Sequence, residues 1–187
     1  MSDLKLFMVL LGSKAPQRNV EQHDYFFGIA ARVEDLVPRM KAFWPEAGSS
    51  LHMDGWREVT AVNQFAVEVI AREASDTSPA HKLFFINLGG YQSGKLEEQH
   101  YTVLTVQQDR ASAVQEAKKS VFFRQNSIKG ANSHIDEKYG IDVDDIYRIE
   151  EILSPGEKEK FHLKITLAEG HTPDTIHLGY FKLDKLK

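Results

Sequence analysis

The chain of 187 residues contains no cysteine. This absence excludes disulfide bridges, thiolate nucleophiles, cysteine-ligated zinc and iron–sulfur clusters. Any metal site must therefore be built from histidine, aspartate and glutamate side chains. A cysteine-free composition also fits a reducing compartment, and we expect a cytoplasmic protein.

Excess positive charge and long apolar runs are also lacking. The net charge is −4 and the isoelectric point is about 6.1, which gives no electrostatic basis for nucleic-acid binding. No apolar run approaches the ~20 residues that a membrane-spanning helix requires. The short run at residues 4–11 lacks a signal-peptide cleavage site and recurs in mid-chain, where no signal can act. We therefore expect neither nucleic-acid nor membrane partners, and a homo-oligomer remains open.

What the sequence does contain is an internal repeat at a spacing of 77 residues. The length of the whole chain suits one compact domain or two closely packed halves. We predict a first copy at residues 1–78, a second at residues 79–154 and a C-terminal segment at residues 155–187. The repeated elements are Lys5-Leu6-Phe7, Leu11-Gly12 and Glu21-Gln22-His23, which return as Lys82-Leu83-Phe84, Leu88-Gly89 and Glu98-Gln99-His100.

Each copy is predicted to have the order β-β-α-β-β. In the first copy, the apolar run at residues 6–11 predicts a strand buried on both faces, and the aromatic cluster at residues 22–30 predicts a second strand. Asp35 is a candidate helix cap. Alternation at residues 57–70 predicts two antiparallel strands that are joined by a turn at Asn63-Gln64.

The second copy is predicted to repeat this order, with Ser112 at the helix start in place of Asp35. Further along, the best match between the copies shifts to an offset of 82, which implies a five-residue insertion. Residues 146–153 have helical spacing taken alone, but their counterparts alternate, which favours a strand. The offset of 82 pairs His52 with His134 and Asp54 with Asp136.

The C-terminal segment is predicted to form a β-hairpin. Alternating apolar residues at 161–167 and again at 176–180 are separated by a region rich in turn-forming residues. The hairpin would cover a sheet edge that is otherwise open. The sequence as a whole predicts an α+β protein of two tandem units related by pseudo-twofold symmetry, followed by this hairpin.

The repeated elements, together with Phe43-Trp44-Pro45, His52-Met53-Asp54 and Trp56-Arg57-Glu58, resemble a bacterial domain-of-unknown-function family, family 1543. Members of the family carry one or two copies of the domain, and the resemblance covers about the first 153 residues. It implies two copies in this chain. The family has no assigned activity, so the resemblance implies no catalytic residue. The second copy departs from the pattern because it lacks counterparts of Trp44 and Trp56.

The leading candidate site residues are the glutamates and histidines of the repeated Glu-Gln-His element. Residues i and i+2 of a strand share a face, so Glu21 and His23 could act on one ligand, as could Glu98 and His100. An imidazole beside a carboxylate can serve as a metal ligand or as a general base. The same pair can equally cap the preceding loop by hydrogen-bonding its backbone amides.

Two His-x-Asp elements are weaker candidates for a divalent metal such as zinc or manganese. The spacing also occurs in turns, where aspartate accepts local backbone hydrogen bonds. The candidate metal ligands are His23, His52, Asp54, His100, His134 and Asp136.

A glycine-rich loop before Lys95 resembles a phosphate-binding loop, but its eighth position is Leu96 and a strand follows it. We therefore expect no nucleotide. Lys14, Arg18 and Lys95 could still guide an anion into the loops.

No motif specifies a reaction, and two functions remain open. The motif-poor composition favours a noncatalytic module that binds a small ligand or mediates assembly. The alternative is a histidine- and glutamate-dependent enzyme, with or without a metal, that acts on a small anionic substrate.

Overall fold

A computed structural model of the protein describes residues 4–73, 79–91, 95–119, 142–168 and 170–186. Strands and short helices alternate along these residues, which confirms the α+β class. The chain divides into two compact units. Unit 1 comprises Met1–Asp76 and Leu153–Lys187, and unit 2 comprises Thr77–Ile152.

The described strands, in chain order, are β1 (Lys5–Ser13), β2 (Gln22–Ala30), β3 (His52–Glu58), β4 (Ala61–Val62), β5 (Phe65–Ala71), β6 (Lys82–Tyr91), β7 (Glu98–Gln107), β8 (Asp142–Arg148), β9 (Phe161–Leu167) and β10 (His177–Lys182). The α-helices are α1 (Val37–Phe43), α2 (Arg110–Ala117), α3 (Ile149–Ile152) and α4 (Pro155–Lys160). Short 3₁₀ helices occupy Val33–Leu36, Pro45–Ser50 and Leu183–Lys185.

Unit 1 is built on a four-stranded antiparallel sheet with the order β10-β3-β1-β2. The apolar run of β1 places this strand inside the sheet, as predicted for a strand covered on both faces. Alternate residues Phe7, Val9 and Leu11 belong to one buried cluster with helix residues such as Leu36 and Met40. The other face of β1 carries Gly12 near its end, where the candidate site lies.

Several local predictions for unit 1 are confirmed. The strand predicted to begin near Arg57 is not, because β3 runs from His52 to Glu58 and pairs with β1. β4 and β5 pair through Val62 and Phe65, so Asn63-Gln64 is the two-residue turn of a hairpin. Asn63 has a φ of 55°, a conformation that asparagine tolerates well. Asp35 lies at the helix start but is not the capping residue itself. It is the third residue of the first 3₁₀ helix, where its carboxylate accepts a hydrogen bond from the Arg32 amide.

The predicted C-terminal hairpin is wrong. β9 pairs with β5 and completes the sheet β4-β5-β9, whereas β10 pairs with β3. Alternation in the sequence shows that a strand has one covered face, but it does not show which strand is its neighbour. The expectation that this segment covers open sheet edges holds, because each strand extends a different sheet of unit 1.

Within unit 1, a buried carboxylate on α4 connects the C-terminal segment to α1 and β2. Glu157 accepts hydrogen bonds from both terminal nitrogens of Arg39 on α1, each at 2.5 Å. It also accepts the Ile29 amide of β2 at 2.5 Å and the Ser154 hydroxyl at 2.7 Å. Burial by itself raises the pKa of this carboxyl, but the hydrogen bonds from Arg39, Ser154 and Ile29 outweigh it and lower the pKa.

Unit 2 contains the antiparallel sheet β7-β6-β8, with α2 after β7. The helix begins within two residues of Ser112, and Asp109 is its cap, accepting the Ser112 amide at 2.8 Å. The predicted strand at residues 146–153 is wrong beyond Arg148. The chain turns there into α3, which buries Ile149. The spacing of the apolar residues alone indicated a helix here, and from Ile149 onwards this indication is correct. The comparison between the predicted copies, which favoured a strand, is wrong there.

The strand registers do not follow the offset of 82 between the two predicted copies. Gly12 of β1 pairs with His52 of β3, and Gly89 of β6 pairs with Asp142 of β8. Both pairings are interrupted by an irregularity two residues before the glycine. Residues of β8 thus occupy register positions on β6 like those that residues of β3, 90 positions earlier in the chain, occupy on β1. Short matches such as His-x-Asp misled the sequence alignment, whereas strand register is set along the whole strand.

Candidate functional site

The central feature of unit 1 is a row of residues on neighbouring strands at Gly12. Gly12 of β1 pairs with His23 of β2 on one side and with His52 of β3 on the other. Residues opposite each other in a sheet have side chains on the same face, so both imidazoles flank the glycine. Together with two nearby carboxylates they form the acidic histidine cluster, which consists of Glu21, His23, His52 and Asp54.

A β-bulge brings Asp54 into the cluster. Leu10 pairs with Gly55 and Leu11 pairs with Met53, so Asp54 is the extra residue on β3. Bulges re-aim a side chain, and this one directs the Asp54 carboxylate over Gly12. A Cβ at position 12 would lie 2.3 Å from Asp54 Oδ2 and 2.6 Å from His52 Nε2. The glycine therefore leaves the space in which the cluster assembles.

Asp54 bridges the two imidazoles. Its Oδ2 lies 3.0 Å from His23 Nε2, and its Oδ1 lies 3.2 Å from His52 Nε2. A second carboxylate oxygen, Glu21 Oε1, lies 3.1 Å from the same His52 nitrogen. His52 Nε2 is therefore held between two carboxylates, and His23 closes the outer side of the cluster.

His52 is buried, and its tautomer is set by the backbone. Its Nδ1 lies 2.8 Å from the carbonyl oxygen of Ser50. A carbonyl can only accept, so Nδ1 carries the proton, and in the neutral ring Nε2 presents a lone pair. Although the two carboxylates are near, neither contact has hydrogen-bond geometry. His52 Nε2 and Asp54 Oδ2 are both buried without a hydrogen-bond partner among the described residues.

Neighbouring groups hold His52 in place. The Ser50 hydroxyl donates to the Ala47 carbonyl at 2.7 Å and lies 2.6 Å from the hydroxyl of the fully buried Ser13. The Tyr180 ring of β10 packs against the imidazole with a centroid distance of 4.3 Å. These contacts fix the ring that faces the carboxylates, which is the usual role of groups behind a metal-binding histidine.

The charge of the cluster determines what it can attract. With both imidazoles neutral, the two carboxylates give it a charge of −2, which repels anions and attracts cations.

Lys14 and Arg18, which sequence reasoning proposed as anion guides, are exposed in the β1–β2 loop. Neither forms an ion pair with a described residue. The sequence indicated two separate candidate pairs, Glu21–His23 and His52–Asp54. The structure brings both pairs together in one site.

Unit 2 shows a partial counterpart. Gly89 pairs with His100, as Gly12 pairs with His23. His100 Nε2 lies 3.7 Å from Glu98 Oε2, and both side chains are largely exposed. Asp142 occupies the register position of His52. Lys95 is exposed, whereas His134 and Asp136 lie outside the described residues.

The described residues contain neither a preformed metal site nor a membrane-spanning helix. No group of three or more histidine, aspartate or glutamate side chains is already arranged around a position that a metal ion could occupy. Among the described helices the longest, α2, has eight residues, and none is a candidate to span a bilayer.

Part of unit 1 is similar to a known family. The family described as Domain of Unknown Function (DUF1543) matches residues 18–69. This segment contains all four residues of the acidic histidine cluster. No curated protein matches the sequence significantly.

The whole fold has a counterpart among solved structures. The crystal structure of a protein Il1583 from Idiomarina loihiensis is similar to this chain with a TM-score of 0.65. The similarity covers 97% of this chain and 99% of that one, at 21% sequence identity. At this identity the likeness shows a shared fold alone.

Sequence reasoning missed three features of the site. It used Gly12 only as the end of a strand, and it gave no role to Ser50 or Tyr180. In the sequence, a glycine precedes each of the two Glu-Gln-His elements at the same spacing. This recurrence is the one signal that could have indicated the open space above β1. The position of Tyr180 depends on the pairing of β10 with β3, which the sequence did not predict.

Proposed function

We propose that the acidic histidine cluster binds a divalent cation, and that the protein is a small-ligand-binding module. The observation that carries this proposal is the buried Nε2 of His52. It has a lone pair when the ring is neutral, faces two carboxylates and lacks a hydrogen-bond partner among the described residues. Such an arrangement is repulsive until an electron-poor group, either a proton or a metal ion, lies between these atoms.

The distances between donor atoms are compatible with a metal ion. Zinc bonds of ~2.0–2.1 Å in a tetrahedron place neighbouring ligand atoms about 3.3 Å apart. The cluster distances of 3.0, 3.1 and 3.2 Å are close to this spacing. A mixed imidazole and carboxylate donor set suits zinc or manganese. Supporting contacts at His52 Nδ1 supply the orientation that metal-binding histidines usually have.

Binding requires a small rearrangement at the outer side of the cluster. The side chain of His52 is only 4% exposed and that of Asp54 is 25% exposed, so both are held in place. Glu21 and His23 are 44% and 46% exposed and can shift by a rotamer change. We infer that these two side chains close over an ion that first contacts the inner pair.

A zinc titration of the purified full chain by calorimetry tests the proposal. Replacing His23 by alanine removes an outer ligand without opening the core, and we expect zinc affinity at this site to fall about tenfold or more. His171→Ala, which removes an exposed loop histidine, is the matched control and should bind as the original protein does. Equal affinity in the His23 and His171 variants, or no binding of zinc or manganese by the original protein, would refute the proposal.

The alternative, an enzyme that uses His52 as a general base, draws on the same fixed tautomer. A donating Nδ1 and a free Nε2 are how a general base is oriented. The burial of Nε2 between two carboxylates counts against it, because a substrate proton could reach this atom only after Glu21 has moved. Zinc binding at the cluster would occupy the nitrogen that this mechanism needs.

We further propose that the two units are tandem copies of the family domain. Both have a central strand whose glycine pairs with the histidine of a Glu-Gln-His element, and both have the same irregularity in the neighbouring strand. The offset of 90 between β3 and β8 replaces the five-residue insertion by one of 13 residues. The second unit carries Asp142 where the first has His52, so the two copies are not equivalent.

A cytoplasmic location remains part of the proposal and rests on the absence of cysteine.

A further inference from the structure

A cavity of about 630 Å³ lies at the end of the four-stranded sheet in unit 1. This volume falls within the range of ~300–1,000 Å³ that is typical of small-molecule sites. The cavity is formed between the end of α1, the second 3₁₀ helix and the end of β10. None of the residues of the acidic histidine cluster lines it.

The charged side chains of the cavity favour an anion. Lys41 comes from the last turn of α1, and Lys182 comes from the end of β10. Both are exposed, and neither forms an ion pair with another residue of the described ranges. Asp184 is the acidic residue of the lining, so the formal charge of the lining is +1. This is opposite to the charge of the acidic histidine cluster, and it attracts anions into the cavity.

Aromatic rings supply a flat apolar surface beside these charges. Trp44 is half-buried and packs against the core of unit 1, and it also lines the cavity. Tyr180 lines it too and is 62% exposed, a large exposure for an aromatic side chain. Leu51 and Leu183 are buried and also line the cavity. Exposed rings around a concave surface commonly mark a ligand site.

The backbone at Gly48 contributes to the shape of the cavity. This residue interrupts the 3₁₀ segment with a φ of 54° and a ψ of −133°, values that residues other than glycine rarely adopt. A Cβ at this position would meet no atom within 4 Å. Gly48 itself lines the cavity, so a backbone conformation that favours glycine lies in its wall.

We propose that this cavity binds a small anion that carries a flat apolar group, such as an aromatic phosphate or carboxylate. Lys41 and Lys182 hold the anionic group, and Trp44 and Tyr180 pack against the ring. The site goes beyond the proposed cation site and does not depend on it. The two sites share one side chain, because the ring of Tyr180 also packs against His52.

The two tryptophans of the chain allow a direct test by NMR. Trp44 lines the cavity, whereas Trp56 stacks on His177 with a centroid distance of 4.0 Å and serves as an internal reference. We titrate the ¹⁵N-labelled full chain with phenyl phosphate in the presence of a metal chelator. The Trp44 indole signal should shift saturably while the Trp56 signal stays in place. Trp44→Phe assigns the two signals.

Variants of the two lysines provide the control for charge. Lys41→Ala and Lys182→Ala should each weaken phenyl phosphate binding about tenfold at low salt, and less at high salt. Lys185→Ala, which removes an exposed lysine that does not line the cavity, should leave the affinity unchanged. Inorganic phosphate and benzyl alcohol should each bind more weakly than phenyl phosphate, because each supplies half of the recognised chemistry.

Three results would overturn the proposal. The first is a Trp44 signal that does not respond to phenyl phosphate. The second is an affinity that is unchanged in both the Lys41 and the Lys182 variants. The third is equally tight binding of benzyl alcohol or inorganic phosphate. The chelator keeps this outcome separate from that of the cation site, since zinc binding is measured in its absence.

Discussion

Replacing Gly12 by alanine is expected to abolish cation binding at the acidic histidine cluster. The new Cβ would lie 2.3 Å from Asp54 Oδ2 and 2.6 Å from His52 Nε2, so it would occupy the space of two proposed ligand atoms. Changes in groups that only support a metal ligand lower metal affinity by about 10- to 100-fold, and displacing two ligands should cost at least the upper value. Calorimetric titration with zinc measures this loss.

The same substitution should reduce stability only moderately. Overpacking at one methyl group costs about 1–3 kcal/mol, and the buried His52 and partly buried Asp54 must shift to make room for it. Gly156→Ala is the matched control, because a Cβ there meets no atom within 4 Å. It should leave zinc affinity unchanged. A Gly12→Ala protein that binds zinc as tightly as the Gly156→Ala protein would show that the ion is held elsewhere.

Replacing Glu157 by alanine is expected to produce the largest loss of stability in unit 1. The carboxylate is buried and accepts two hydrogen bonds from Arg39 together with the Ile29 amide and the Ser154 hydroxyl. Removing one partner of such a buried pair leaves the other uncompensated and costs about 3–5 kcal/mol. Denaturant unfolding measures the change. Glu159→Ala, an exposed site on the same helix, should change stability by less than about 0.5 kcal/mol.

The pH dependence of stability should report the same carboxylate. Its pKa in the folded protein lies below the ordinary value of 4.5. A lowered folded pKa means that the unfolded chain binds the proton more tightly, so the stabilisation is complete above the ordinary value. It is lost as the pH falls from that value through the folded pKa. In Glu157→Gln this part of the acid destabilisation should disappear, and an unchanged acid profile would contradict the assignment.

Local features of the fold could be predicted from the sequence. The run at residues 6–11 and the turn at Asn63 depend on neighbouring residues, and the structure has a strand and a turn there. Pairing between distant segments could not be predicted. The partners of β9 and β10 depend on which sheet edges are open, and alternation carries no information about that choice.

The candidate site was predicted in parts for the same reason. Glu21 and His23 share a strand face by their spacing, so this pair could be found from the sequence alone. His52 and Asp54 have the spacing of an ordinary turn motif. They join the first pair only through the register of β3 against β1 and through the bulge at Asp54. A bulge changes the facing of a single residue and leaves no clear mark in the sequence.

The most direct test of the cation site is a crystal structure of the protein soaked with zinc, with data collected on both sides of the zinc absorption edge. We expect an anomalous peak about 2.0–2.1 Å from His52 Nε2 and within bonding distance of an Asp54 oxygen. Glu21 or His23 should complete the coordination. Anomalous density that appears only elsewhere at saturating zinc, with the His52 and Asp54 side chains unliganded, would contradict the account.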